Sequence, residues 1–162
     1  MICPTAPHGS GRHMSQIAEG FLVPDVAMQE AAACAGRNDA RGMRALLRPH
    51  AFEAFGWSGY VLFIATEWLR EQGVTLPRST VPSIQDIVDR YDPLLCANGA
   101  ECEVLARRLN GFSPSTEELV QYWSEMAGET EEASQFMPDA WAWLNRLVRS
   151  GTQSDWCLLF EG

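Results

Sequence analysis

Apolar positions recur at three- and four-residue spacing along most of this chain, and each periodic stretch is bracketed by residues that start or stop helices. Behind Pro24, Asp25 is placed to cap a helix over residues 26–35 that Gly36 ends. Asn38 or Asp39 opens a second helix that runs to Arg48, where Pro49 forbids continuation. The two form a helical hairpin whose second arm turns Met43, Leu46 and Leu47 inward. Residues 57–71 are apolar nearly all round, through Trp57, Tyr60, Val61, Ile64, Ala65, Trp68 and Leu69 with Leu62 and Phe63 on the other face, which marks a central element. Residues 60–66 would also suit a buried strand; the length up to Gly73 favours helix.

Further on, Ser83 and Asp86 form a capping-box-like pair ahead of Ile84, Ile87, Val88 and Tyr91, with Pro93 as the stop. Asn98 and Glu101 repeat the device before Cys102, Leu105, Ala106 and Leu109, and Gly111 ends that segment. Ser113-Pro114 or Ser115 with Glu118 opens a helix that places Leu119, Tyr122, Trp123 and Met126 inside and closes at Gly128. Residues 129–139 read as an acidic connection broken by Pro138, and residues 139–149 as a helix periodic through Trp141, Leu144 and Val148. Trp143 falls roughly 200° from Trp141 at 3.6 residues per turn, off that stripe. The run Trp156–Phe160 is too apolar to stay in water and should dock as a short strand or strap. The expected fold is all-α: a compact single-domain bundle of six or seven helices over residues 21–162, with that one C-terminal strand or strap. Residues 1–20 read as a disordered tail or a cloning remnant, with Met14 as an alternative start. The hairpin at residues 26–48 resembles a single ankyrin-like helical repeat, but no second copy follows, so a solenoid is set aside.

A chain of 162 residues can bury enough surface to fold without staples. No apolar run approaches the roughly 20 residues of a membrane span, and the first twenty residues lack the apolar core of a signal peptide. Five cysteines (Cys3, Cys34, Cys96, Cys102, Cys157) form no C-x-x-C pair, so the chain reads as reduced and cytoplasmic. His8, His13 and His50 are the only histidines and lack zinc spacing, so neither metal nor cofactor is expected. All twelve basic residues are Arg, which fits a GC-rich, bacterial coding bias.

Charge changes the picture more. Residues 1–100 hold ten acids and eight Arg, whereas residues 101–162 hold eleven acids and four Arg, so most of the net −9 lies in the last third. Between Arg108 and Arg146 stand seven carboxylates, Glu117, Glu118, Glu125, Glu129, Glu131, Glu132 and Asp139, and no basic residue. Solvated helix faces usually pair acids with bases at i, i+4; this stretch does not. With Trp143 as an off-stripe aromatic anchor, these eight residues are the expected docking surface for a basic protein. The function they suggest is a non-enzymatic acidic binding protein, an immunity-type inhibitor of a basic, nucleic-acid-acting toxin or effector, itself contacting neither nucleic acid nor membrane. The alternative is a helical adaptor that takes an acidic or helical partner on Arg37, Arg41, Arg44 and Arg48, which fall on one helix stripe. A small enzyme built on His50 with Cys34 or Cys102 comes third, since no phosphate loop, nucleophile elbow or metal-ligand motif is present. The sequence does not set the oligomeric state.

Overall fold

The apolar run at the C-terminal end forms the centre of a small sheet instead of a strap on a helical bundle. The computed structural model describes residues 17–162, which run β1 (Glu19–Val23), α1 (Asp25–Gly36), α2 (Ala40–Leu47), a 3-10 turn (Arg48–His50), α3 (Gly59–Glu71), a second 3-10 turn (Pro82–Ile84), α4 (Gln85–Tyr91), β2 (Leu95–Asn98), α5 (Gly99–Leu109), α6 (Thr116–Ala127), α7 (Ala133–Gly151) and β3 (Trp156–Phe160). The strand order is β1-β3-β2, antiparallel throughout, with Phe21 opposite Leu158 and Ala97 opposite Cys157. The fold is therefore mostly helical with a three-stranded antiparallel sheet, not purely α.

Alternation along the strands splits the interior into two cores. Leu95, Ala97, Cys157 and Leu159 face α3, α5, α6 and α7, while Phe21, Val23, Cys96, Trp156 and Leu158 face α1, α2 and α4. A sheet buried on both faces needs apolar residues at successive positions, which is why Trp156–Phe160 shows no alternation in sequence. Both outer edges are occupied. Bridges from Ser58 and Ala51 cover the β1 side, and on the β2 side the Ser79 N–H donates to the Cys96 carbonyl at 2.7 Å. Among the described residues both edges are thus partly covered, which limits strand addition by another chain. At Gly20 a Cβ would lie 2.9 Å from the Trp143 ring, so the close approach of α7 to β1 requires glycine there.

Expectation and structure agree on most helices. The Asn98–Glu101 capping box is present in both directions, Asp39 caps α2, Ser115 caps α6, and Gly128 at φ 91° ends α6. Five readings are corrected. Pro24, not Asp25, holds the N-cap position of α1, and the Asp25 carboxylate instead accepts from the Trp156 indole at 2.9 Å. Ser83 caps nothing, because residues 82–84 form a 3-10 turn leading into α4. Residues 17–20 belong to the fold, with Ala18 and Gly20 buried; the tail expectation for residues 1–16 lies outside the described residues. Met126 is 47% exposed because α6 ends one residue later, beyond the reach of its neighbours.

The fifth correction is Pro138, which lies inside the single long α7 and does not break it. A proline there removes one helical hydrogen bond and crowds the carbonyl one turn back, at about 3 kcal/mol. Phe136, Met137, Ala140 and Trp143 are buried on either side of it. Burying each large apolar side chain contributes roughly 1.5–3 kcal/mol, so packing outweighs the break. The connection between α6 and α7 thus shrinks to residues 128–132, and the long acidic loop expected there does not exist. Among the described residues no helix is long and apolar enough to cross a membrane.

Candidate functional site

The seven carboxylates fall on the α6–α7 hairpin, for different local reasons. Glu117 and Glu118 occupy the first turn of α6, where the Ser115 hydroxyl accepts from the Glu118 N–H at 3.1 Å and the helix dipole favours negative charge. Glu132 takes the N-cap position of α7 and is half-buried. Glu129 and Glu131 are exposed at the hairpin tip. Asp139 is exposed on α7, and its carboxylate accepts from the Trp57 indole at 3.0 Å. Glu125 sits near the negative end of α6, where the dipole opposes it and the last turn holds no basic residue. Its one hydrogen bond is from the Gln121 amide at 3.0 Å.

These positions form a stripe, not a single patch. Glu118, Gln121 and Glu125 follow one another at helical spacing on the exposed side of α6, and Glu118 lies about 10 Å along the axis from Glu125 at 1.5 Å per residue. Glu129 and Glu131 follow, exposed, in the connection to α7, and exposed Met126 is next to Glu125 in sequence. Sequence reasoning placed Met126 inside. The signal that could have corrected it is Gly128, which ends the helix within a turn.

Trp143 does not belong to this surface. It is 2% exposed, its indole donates to the Glu53 carbonyl at 3.0 Å, and the rings of Phe52 and Phe55 pack on it at 5.6 and 5.5 Å. The buried face of α7 runs through Phe136, Ala140, Trp143 and Leu147, with Met137, Leu144 and Val148 alongside, and Trp141 is on its half-buried flank. The anchor expected outside is an internal one.

The arginine set is also divided. Arg37 is the C-cap residue of α1 and donates to the Cys34 sulfur at 3.4 Å, so it is not on the α2 stripe. Arg41, Arg44 and Arg48 remain at i, i+3 and i+7, all exposed. Arg44 pairs with Glu19 at 3.1 Å; Arg41 and Arg48 have no ion pair among the described residues.

Ingredients for catalysis or metal binding do not converge among the described residues. No group of three or more His, Cys, Asp or Glu is placed to hold a metal ion, and no hydrogen bond joins His50 to a thiol. Cys96, Cys102 and Cys157 are wholly buried. Burial pushes the Cys96 thiol up to about 12, and a hydrogen bond with Cys102 together with burial raises Cys157 as well. The Tyr122 hydroxyl is buried without a hydrogen-bond partner among the described residues, and burial followed by the nearby Glu71 carboxylate raises its pKa. Compared with known protein families, curated proteins and solved structures, the chain matches none.

Proposed function

We propose that this is a non-enzymatic binding protein whose acidic α6–α7 face docks a basic protein, and that it acts as an immunity-type inhibitor of a nucleic-acid-acting toxin or effector in the cytoplasm. One observation carries the reading. Glu19, Glu53, Glu67, Asp86, Asp92 and Glu103 each share an ion pair with an Arg, whereas none of the seven hairpin carboxylates does among the described residues; Glu30, Glu71 and Asp89 also lack one, but each stands on a different helix, while the hairpin gathers seven. Helix dipoles account for Glu117, Glu118 and Glu132; they give no structural reason for Glu125, Glu129 or Glu131. Unpaired carboxylates in a row steer a basic surface and compete for the Arg and Lys that would otherwise hold phosphates. Exposed Met126 supplies an apolar contact beside Glu125, the part first assigned to Trp143.

A second reading has its own observation. Arg41 and Arg48 are exposed and without an ion pair among the described residues, which suits an adaptor that takes an acidic partner on α2. One experiment separates the two. Affinity capture from the source cells is run in parallel with wild type, with Glu125, Glu129 and Glu131 reversed to Arg, and with Arg41 and Arg48 reversed to Glu. The inhibitor reading expects a basic protein that the acidic-face variant fails to retain and the arginine variant keeps. The opposite pattern replaces it with the adaptor.

A further inference from the structure

Where α2, the end of α4, the middle of β1 and the end of β3 meet, the surface opens into a cleft of about 370 Å³. That is at the small end of the roughly 300–1,000 Å³ typical of ligand sites. Its apolar lining is Met43, Leu47 and three aromatic rings. Phe21 and Phe160 meet edge to face with ring centres 6.1 Å apart, and half-buried Tyr91 adds a third ring whose hydroxyl has no hydrogen bond among the described residues.

Two guanidiniums line the same cleft from different helices, Arg44 of α2 and Arg90 of α4. Each is held by neighbouring acceptors. Glu19 holds Arg44 at 3.1 Å, while Asp86 at 3.4 Å and the Asn38 side-chain oxygen hold Arg90. A guanidinium so anchored retains further N–H donors, and its fork suits a carboxylate. Two carboxylates also line the cleft. Asp92 is paired with Arg78, and Glu161 acts electrostatically on the Tyr60 phenol, whose pKa burial and then that charge raise.

We infer that this cleft is a binding site for a small aromatic carboxylate, its ring on Phe21, Tyr91 and Phe160 and its anionic end between Arg44 and Arg90. A flat ring buries apolar area against the three aromatics at little entropic cost, and the charge selects among ring compounds of equal size. The site is independent of the α6–α7 face, so either proposal can fail without the other.

The test is a set of amide-shift NMR titrations of the full chain with three indoles that differ in the head group: indoleacetate, tryptamine and tryptophol. Indoleacetate is expected to give saturable shifts centred on Phe21, Tyr91 and Phe160, and to bind at least about tenfold more tightly than the cationic and neutral compounds. Arg44→Gln with Arg90→Gln should weaken it about tenfold or more, and Arg41→Gln with Arg48→Gln, outside the cleft, should not. Should the first double variant lose its folded spectrum, single Arg90→Gln serves, with weakened binding still expected. Shifts that never saturate, tryptamine binding as well as indoleacetate, or unchanged affinity in the Arg90 variant would overturn the inference.

Discussion

Replacing Trp143 distinguishes an internal anchor from a surface one without any knowledge of a partner. The side chain is 2% exposed, packs between Phe52 and Phe55, and donates to the Glu53 carbonyl at 3.0 Å. Trp143→Ala removes a whole indole from a packed wall that Gly20 was needed to accommodate, and core Trp→Ala changes cost about 3–5 kcal/mol. At roughly 2–4 °C per kcal/mol for a chain of this size, the midpoint of thermal unfolding should fall by roughly 6–20 °C. Trp143→Phe keeps most of the ring area and loses the hydrogen bond, so it should cost less, about 0.5–1.5 kcal/mol for the bond together with the smaller loss of area. Urea and thermal unfolding followed by circular dichroism give both values. A loss under about 1 kcal/mol for Trp143→Ala would place the indole in solvent and refute the packing argument.

Two further outcomes follow from local geometry. Pro138→Ala restores a donor to the Ser134 carbonyl and removes a ring from the middle of a helix, so it should stabilise by about 1–3 kcal/mol after the gain in unfolded-chain entropy is subtracted; urea unfolding that shows destabilisation would contradict this. Asp25 is held below its ordinary 3.8 first by the Trp156 indole and then by Gln29, so its contribution to stability is present above pH 3.8 and is lost as pH falls through the folded value. Carboxyl-carbon NMR titration should find Asp25 below 3.8 in wild type and nearer to it in Trp156→Phe.

What the sequence made legible was local. Asn98–Glu101, Ser115, Asp39 and the stop at Gly128 each act within one turn, so most helix ends could be read from neighbouring residues, while α1 runs through Gly36 and ends ahead of the left-handed Asn38. The sheet could not be read this way. β1 and β2 have five and four residues and pair only through β3, which lies far along the chain. Trp143 was misread for the same reason. Its position on α7 identifies an angle, but what covers that angle is residues 52–55, some ninety positions away, and only the fold brings them there. Pro138 reads as a boundary in sequence because a proline usually ends a helix, but the residues buried on both sides of it keep α7 continuous. The carboxylates of the α6–α7 hairpin were visible as a charge pattern, and their lack of ion pairs needed coordinates. Tyr91 reads in sequence only as part of a helix's apolar stripe and Arg90 as nothing in particular, since the cleft they line joins segments far apart along the chain.

The central claim is that the α6–α7 carboxylates steer a basic partner. The most direct measurement is the association rate of the captured protein as a function of salt, for wild type and for the variant with Glu125, Glu129 and Glu131 reversed to Arg. Exposed charges act over about 8 Å at physiological ionic strength, so the wild-type rate should fall steeply as salt rises. The reversed variant, still folded, should associate far more slowly with a flat or inverted salt dependence. Equal rates and equal salt slopes for the two proteins would mean that the acidic face is only a solvated surface.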